Sequence, residues 1–371
     1  MDVVEVNGAR DWKAFVFLPR TIYRNDPLWI QPLWSEQKKL FSPKHLENYE
    51  YSLFLVKDCG KVLGRSAVFI DRHYNEYWKE KTGFFGSFEC VNDIPAALIL
   101  MRSCEEWLKQ RQMDAMRGPI NFESQNWGVI CDGYGDPPKI MSPYNPPYYN
   151  DLLQSAGLAG VKHLEVFSAE TENYQLPERY TRHFEHLMRK YALQVRHVNM
   201  KRLVDDIRVI VDLSNRSLFR NWGYAPVSLD EAEEIAADLR RIVRPELVLI
   251  VESRGIPIGF SIALPDIYRV LKDMNGRLLP FGIFTLLRGL RKIDEFRMWA
   301  LGIVPEFQRK GIDTMLYLAT YRALCDRKIR LEANYILENN YAMKDAVIKL
   351  GMKKVRTYRI YEKKIDAVPL S

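Results

Sequence analysis

Cysteine is scarce in this chain of 371 residues. The thiols are odd in number and include no Cys-x-x-Cys pair: Cys59, Cys90, Cys104, Cys131 and Cys325. A disulfide framework needs cysteines in pairs, and a zinc site needs ligands at close spacing, so we expect neither. The scarcity of cysteine favours a reducing compartment, and the sequence therefore predicts a cytoplasmic protein.

Long apolar runs are also missing. No stretch reaches the ~20 apolar residues that cross a bilayer. The first residues lack the basic region followed by an apolar run that marks a signal peptide. We therefore expect no transmembrane segment.

The charged residues are not gathered into blocks. The chain has 54 Lys and Arg against 47 Asp and Glu, a net charge of +7, and these are scattered along it. A nucleic-acid surface would show clustered cations with interleaved aromatic residues, so we expect no stable nucleic-acid partner.

His183 and His186 lie three positions apart with no third ligand nearby, which predicts a solvated basic helix and no metal site. A basic balance of this kind favours a polyanionic cofactor.

One stretch, from Trp299 to Tyr317, predicts a strand, a turn and a helix. Apolar residues fill 299–304, Pro305 ends the strand, and apolar residues recur at helical spacing from Met315 onward. The turn itself reads Gln-Arg-Lys-Gly and ends at Gly311. A turn that leads into a helix leaves backbone N–H groups unpaired in a positive potential, and these groups bind phosphate. The sequence therefore predicts a polyphosphate site at this turn.

The segment 304–312 resembles the acyl-CoA loop of the GNAT superfamily of N-acyltransferases, whose pattern is Gln/Arg-x-x-Gly-x-Gly/Ala. The segment 338–352 resembles the second motif of that superfamily, an Asn followed by a helix that ends in Leu-Gly before a last strand. The last position of the loop departs from the pattern, because Asp313 stands where the family has Gly or Ala. Its carboxylate could cap the helix, but it would repel a pyrophosphate.

The resemblance implies acetyl-CoA or another acyl-CoA as the cofactor. It assigns the thioester carbonyl to Gly302, Ile303 and Val304, the pyrophosphate to Gln308, Arg309, Lys310, Gly311, Ile312 and Asp313, and the pantetheine arm to Asn339 or Asn340. An exposed helix cap is the alternative for the two asparagines.

The general base and acid are less well defined by the resemblance. Family members commonly use a carboxylate on or near the strand before the loop, for which Glu295 and Glu332 are the candidates, each with an exposed ion pair as the alternative. The usual acid is a tyrosine seven residues after the motif's Asn, and Val347 stands there. Tyr341 or Tyr335 could replace it.

An internal repeat divides the chain. The hairpin at 53–70 recurs at 248–264, with three residues each displaced by 195 positions (255−60, 259−64, 266−71): Gly60 to Gly255, Gly64 to Gly259 and Asp71 to Asp266. We therefore predict a tandem duplication with domains 1–175 and 176–371. The order of elements predicts an α/β (α+β) fold with one mixed central sheet flanked by helices in each copy, and the resemblance implies two GNAT-like domains.

The N-terminal copy has no phosphate loop. The loop of the second copy aligns with the segment 95–98, Pro-Ala-Ala-Leu, which offers neither glycine nor cation, and proline has no N–H to donate. This copy has instead an insertion at 117–149 rich in aromatic, amide and proline residues, either a binding surface or a structural cover. We interpret the copy as degenerate.

The second copy has an insertion of its own at 277–293, which is apolar with cations toward its end. This composition occurs in membrane-surface helices and in lids over apolar pockets, and a buried helix edge is the alternative. If the insertion contacts substrate, the acceptor or the acyl chain has an apolar part.

The first functional hypothesis is an acyl-CoA-dependent N-acyltransferase acting on a small-molecule or peptide amine. The second is a catalytically inactive tandem GNAT-fold binding protein, since Asp313 and the missing tyrosine both depart from the family pattern. The third is an aminoacyl-tRNA-dependent transferase, which would bind tRNA with a strong dependence on salt.

Overall fold

The architecture is given by a computed structural model, which describes residues 1–47, 49–122, 126–170, 178–240, 242–272, 274, 276, 282–290, 292–324 and 328–366. In chain order the strands are β1 Asp2–Glu5, β2 Glu50–Asp58, β3 Lys61–Ile70, β4 Thr82–Cys90, β5 Ala115–Gly118, β6 Val129–Asp132, β7 Ala159–Glu170, β8 Leu193–His197, β9 Val248–Ser253, β10 Ile256–Pro265, β11 Glu295–Ile303, β12 Arg330–Leu337 and β13 Lys353–Lys364.

Helices alternate with these strands, as the sequence predicts. In chain order they are α1 Gly8–Phe17, α2 Pro19–Ile22, α3 Trp34–Leu40, α4 Arg72–Trp78, α5 Ile94–Lys109, α6 Tyr149–Ser155, α7 Glu178–Tyr191, α8 Leu203–Leu218, α9 Leu229–Leu239, α10 Tyr268–Lys272, α11 Gly282–Leu290, α12 Ile312–Leu324 and α13 Tyr341–Lys349. Among the helices described, none is long and apolar enough to cross a membrane.

The chain forms two compact units. Unit 1 comprises Met1–Leu164, Tyr268–Thr285 and Arg356–Ser371, and unit 2 comprises Glu165–Ile267 and Leu286–Val355. The units therefore follow spatial contacts and not the order of the repeat. The predicted division at residue 175 separates the two copies of the repeat, and it stays a prediction.

The sheet of unit 1 has the order β1-β2-β3-β4-β5-β13. Its strand pairs are antiparallel except for β4 and β5, which run parallel. The last strand of the chain thus completes the sheet of the N-terminal unit, with Tyr361 opposite Gly118 and Tyr358 opposite Ile130 of β6.

Helix α5 forms the core of unit 1 with this sheet. Its apolar residues recur every four positions at Ala96, Leu100, Cys104 and Leu108, and each is fully buried. This is the spacing at which residues share one face of a helix, so α5 presents a continuous apolar stripe to β2, β3 and β4. The core of unit 1 therefore lies between α5 and the sheet.

The sheet of unit 2 has the order β8-β9-β10-β11-β12-β7. The strands from β8 to β11 pair antiparallel, and β11 and β12 pair parallel. Parallel neighbours need a crossover connection, and α12 supplies it. Each unit is thus a mixed sheet flanked by helices, which confirms the predicted fold class.

The predicted hairpins are confirmed at both places in the repeat. Gly60 and Gly255 each have a φ of +79°, and the preceding residues, Cys59 and Arg254, also lie in the left-handed region at +46° and +53°. Two consecutive residues with positive φ define a two-residue hairpin turn of the type that matches strand twist. The same turn geometry therefore recurs 195 residues later (255−60).

Candidate active site beside the glycine turn

Strands β11 and β12 separate partway along their length. Their parallel register runs from Glu295 opposite Arg330 to Met298 opposite Ala333, while the strands continue to Ile303 and Leu337. Trp299, Ala300 and Leu301 are partly exposed just beyond the last pair, although β11 lies inside the sheet. A bulge in the β10–β11 pairing falls at the same place, between Ile262 and Ala263. The separation opens an edge of β11 within unit 2.

The N–H groups along this part of β11 point alternately to its two edges. Val304 N–H donates to the carbonyl of Ile258 at 2.9 Å, so it is engaged on the β10 side. By alternation, the N–H of Gly302 points to β10 as well, and those of Leu301 and Ile303 point to the open edge. Of the three residues assigned to a thioester carbonyl from the sequence, only Ile303 offers its amide there, and Leu301 is an additional donor.

Gly302 is also the point of close contact between β11 and α8. A Cβ atom built on it would lie 2.1 Å from Ser217 Oγ of α8. The glycine therefore permits close packing of a helix against the strand.

The turn before α12 has the backbone conformation of an anion cradle. Arg309 and Gly311 both have positive φ, +59° and +78°. Among the described residues, no backbone carbonyl accepts from the N–H groups of 309–314, and the first such bond of the helix is Met315 N–H to Gly311 O at 3.2 Å. Successive free amides at a helix N-terminus favour binding of phosphate. The predicted site at this turn therefore has the required main-chain geometry.

The side chains of the turn mostly bind to the protein itself. Gln308 Nε2 donates to Ile303 O at 2.9 Å and ties the turn to the end of β11. Lys310 Nζ donates to Glu306 O at 2.6 Å and lies over the rings of Tyr191 and Phe307. Only Arg309, which is exposed, leaves its side chain without such a contact within the described residues.

The next two residues begin α12. Ile312 is buried at 1% exposure and anchors the helix to the core. Asp313 lies in the first turn of the helix. Burial raises the pKa of Tyr317, and the charge of Asp313 raises it further. Asp313 therefore lies at the entrance to the helix, one turn from Tyr317 on the same face.

The two candidate bases are both buried, so the alternative of an exposed ion pair is wrong for each. Glu295 is 7% exposed and Glu332 is 4% exposed. At a rise of ~3.3 Å per residue, the Cα atoms of Glu295 and Leu301 lie roughly 20 Å apart. Glu332 is one residue before the last paired position, Ala333, so it is the better placed of the two for chemistry at the open edge.

Glu332 belongs to a buried polar network that the sequence analysis missed. Asn334 Nδ2 donates to Glu332 Oε1 at 2.9 Å, and Arg297 Nε donates to Asn334 Oδ1. Arg297 is 1% exposed, stands opposite Glu332 in the register and lies over the Tyr335 ring at 5.3 Å. The signal was an arginine between Phe296 and Met298, in a strand whose other residues after Glu295 are all apolar or glycine.

The second motif begins at the start of α13. Asn340 Oδ1 accepts from Met343 N–H at 3.2 Å, and so it caps the helix, while Asn339 is exposed. Tyr341 is 69% exposed. The structure thus places these three residues at the surface beyond the end of β12.

The corresponding edge in unit 1 is occupied by its own chain. Strands β4 and β5 pair from Thr82 to Phe84, after which Ile120 N–H donates to Phe85 O at 2.8 Å. Asn121 Oδ1 accepts from Ser87 N–H at 2.7 Å and from Ser87 Oγ at 3.1 Å. The start of the 117–149 insertion therefore fills this edge as a structural cover.

The N-terminus of α5 is also closed to anions. The Asp93 carboxylate caps it by accepting from Ala96 N–H at 2.8 Å. The missing phosphate loop of the first copy is thus accompanied by a negative charge where the second copy has free amides.

The two predicted histidines lie on α7. Both His183 and His186 are exposed, while the residue that follows each of them, Phe184 and Leu187, is buried. No group of three metal-ligating side chains occurs in the part of the chain that the structure describes. The helix packs beside the turn, since a Cβ on Gly311 would meet His183 Nε2 and Leu187 Cδ1 at 3.5 Å.

The fold and the turn together define a tandem GNAT fold. A tandem GNAT protein from the clavulanic acid biosynthesis pathway superposes with a TM-score of 0.56 at 9% identity, and the match covers 99% of both chains. A GCN5-related N-acetyltransferase from Anabaena variabilis superposes with a TM-score of 0.52 at 9% identity over 98% of this chain and 73% of that one. No protein-family model matches the chain.

Two curated proteins resemble the chain over nearly its full length. Protein YghO of Escherichia coli strain K12 is 28% identical over 369 residues, 96% of this chain and 94% of that protein. A bacterial ceramide synthase of Caulobacter vibrioides is 27% identical over 375 residues, 98% of this chain and 97% of that protein.

Proposed function

We propose that the chain is an acyl-CoA-dependent N-acyltransferase whose site lies in unit 2. The observation that carries the proposal is the open edge of β11, which leads directly into a turn with unpaired amides. An acyl-CoA is an elongated molecule with a diphosphate at one end and a thioester at the other. A cradle for phosphate that continues into an open strand edge matches both ends of such a molecule.

The residues that would hold the cofactor follow from this geometry. The amides of Arg309, Lys310 and Gly311, with the Arg309 guanidinium, suit the diphosphate. The open edge of β11 suits the arm, which carries amide groups that can pair with a strand. Leu301 and Ile303 offer N–H groups to the thioester carbonyl, where developing negative charge would be stabilised.

The chemistry is acyl transfer from sulfur to nitrogen. Acyl-CoA supplies the thioester, whose carbonyl carbon forms a bond to the amine nitrogen as the carbon–sulfur bond breaks and CoA leaves as the thiolate, which takes up a proton from solvent. Glu332 is the group we assign to accept the amine proton, and Asn334 fixes the orientation of its carboxylate. The proposal places the enzyme in the cytoplasm, where acyl-CoA is formed.

A lipid amine is the acceptor class we propose. The relative from Caulobacter vibrioides is named a bacterial ceramide synthase, and a ceramide is the fatty amide of a long-chain amino alcohol. The apolar insertion of the second copy agrees with an acceptor of this kind. Its residues 282–290 form α11, whose Phe284 is 70% exposed, and the residues 277–281 and 291 lie outside the described residues.

The test is a transfer assay with palmitoyl-CoA and sphinganine, a saturated amino alcohol of this class. Release of free thiol and formation of the amide, measured by mass spectrometry, are the expected results, with Glu332→Gln as the comparison of lowered activity. Water-soluble primary amines and peptides are the other acceptors in the panel.

If CoA binds and no acceptor is acylated, the protein is an inactive binding protein of the same fold. That result would contradict the enzymatic proposal and leave the cofactor site standing.

A further inference from the structure

The geometry points to a membrane-docking surface on unit 2, formed by the β9–β10 hairpin tip and the end of α7, that binds bilayers containing anionic lipid. We name it the hairpin surface and define it by Lys190, Tyr191, Arg254, Ile256 and Phe307. The inference goes beyond the proposed function and does not rest on it, because docking requires no bound acyl-CoA.

The first observation is an exposed apolar side chain at a hairpin tip. Ile256 is 64% exposed and directly follows Arg254 and Gly255, which form the turn. A single exposed isoleucine is ordinary on a protein surface. This one also lines a cavity of about 280 Å³ together with Ile258, Tyr191 and Phe307, so it belongs to a larger apolar surface.

The second observation is the charge around that cavity. Lys190 and Arg254 line it, and Lys310 lies over the Tyr191 and Phe307 rings at 5.1 and 4.5 Å. No carboxylate is among the described residues that line the cavity. Within the described ranges, none of the three cations pairs with a carboxylate. Cations around exposed apolar and aromatic side chains are complementary to a bilayer with anionic headgroups.

The surface is held rigidly in this arrangement. Arg254 N–H donates to Ala192 O at 3.1 Å, and Ser253 Oγ donates to Tyr191 O at 2.7 Å, so the hairpin is fastened to the end of α7. The apolar tip and the cations are thus fixed relative to one another before any lipid binds.

The matching hairpin of unit 1 supplies a natural comparison. It has the same turn conformation but carries Cys59, Gly60 and Lys61 where the second copy has Arg254, Gly255 and Ile256. Asp58 at its base is within 3.4 Å of the amino terminus of the chain. The apolar tip is therefore a property of the side chains in unit 2 and not of the turn.

The experiment is co-sedimentation of the full chain with vesicles, without any acyl-CoA. One set contains phosphatidylglycerol and phosphatidylcholine, and the other contains phosphatidylcholine alone. We expect binding to the first set that weakens with added salt. Arg254→Gln and Lys190→Gln should each lower the partition coefficient about fivefold, and Ile256→Asp about tenfold.

Lys61→Gln, at the tip of the matching hairpin, is the control and should leave binding unchanged. All four substitutions fall on exposed residues, and an unchanged Tm confirms that each variant is folded. Equal binding to both vesicle sets would overturn the inference, as would an effect of Lys61→Gln equal to that of Arg254→Gln.

Free CoA at saturation should leave vesicle binding unchanged. Loss of vesicle binding in its presence would assign the cations to the cofactor site and overturn the inference. Failure of the acyl-transfer assay would not affect either result, so the two proposals fail separately.

Discussion

Strand pairs β4–β5 in unit 1 and β11–β12 in unit 2 both separate beyond a short parallel register, and among the described residues the edge stays open in the second pair and is filled in the first. In unit 1 the chain itself supplies the missing partners, with Ile120 bonded to Phe85 and Asn121 to Ser87. A Cβ on Gly86 would lie 2.0 Å from the Ile120 carbonyl oxygen, so the fit is close. The comparison teaches that the residues following the second strand decide whether this topology gives a closed sheet or an open strand edge.

The helices that follow differ in the same sense. In unit 1 the Asp93 carboxylate accepts from Ala96 N–H at the start of α5, and in unit 2 no described backbone carbonyl accepts from the amides of the turn through Gly311. A carboxylate and a phosphate compete for the same groups, so we expect the start of α12 to accept an anion more readily than the start of α5.

The largest expected effect comes from Gly311→Asp, which would make the second turn resemble the first. A residue with a side chain is strained at a φ of +78°, and the added carboxylate would face the diphosphate. We expect the affinity for CoA to fall about a thousandfold in isothermal titration calorimetry.

Gly60→Asp is the matched control, because Gly60 has a φ of +79° and nothing within 4 Å of a built Cβ. It imposes the same backbone strain in unit 1, for which no ligand is predicted. Equal loss of affinity in both variants would show that strain alone, and not the anion cradle, explains the result.

The next effect tests the two buried carboxylates of unit 2 against each other. Glu332→Gln should lower kcat for acyl transfer about a hundredfold, because general base catalysis is lost while binding remains. Glu295→Gln should leave kcat nearly unchanged, since Glu295 lies roughly 20 Å along the strand from Leu301. A larger loss in Glu295→Gln, at a temperature where both variants are folded, would reverse the assignment.

A smaller effect is expected from opening the closed edge in unit 1. Asn121→Ala removes the acceptor of Ser87 N–H, and leaving that amide without a partner should lower the free energy of unfolding by about 1–3 kcal/mol. Asn126→Ala is the control, since Asn126 Oδ1 has no partner among the described residues. It should change the free energy of unfolding by less than about 0.5 kcal/mol. Urea denaturation measures both.

Opening this edge should not create a second CoA site, because Asp93 still caps α5. Binding of a second CoA by Asn121→Ala would show that the cover alone had closed the first copy.

The smallest effect concerns a buried carboxyl in unit 1. Glu89 Oε2 accepts from Tyr23 OH at 2.8 Å and from Tyr149 OH at 2.7 Å. Burial raises the pKa of Glu89 above 4.5, and the charge of Arg65 opposes this. A carboxyl whose pKa is raised on folding contributes stability below its unfolded pKa, and that contribution is lost as pH rises through the folded pKa.

We therefore expect Glu89→Gln to gain stability relative to the wild type as pH rises from 4.5 toward neutrality. Denaturation at a series of pH values measures the difference. A difference that stays constant with pH, or falls, would contradict the raised pKa.

Local patterns in the sequence predicted the hairpins, the turn at Gly311 and the helix after it, because each depends on nearby residues. Alignment of the two copies predicted that the phosphate loop is lost at Pro95, because this too depends only on residues that are adjacent in the chain. The occupied edge was not predictable, since Asn121 meets Ser87 only through the tertiary fold. The place of β13 in the sheet of unit 1 is likewise a long-range contact, between Tyr361 and Gly118. The Arg297–Asn334–Glu332 network joins two strands separated by a helix, and spacing along the chain carries no record of it.

The central claim is that one copy binds the cofactor and the other cannot. Titration calorimetry of the wild-type chain with free CoA tests it most directly, because it counts the sites. We predict one CoA per chain. Two equivalent sites, or no binding at any CoA concentration, would contradict the account.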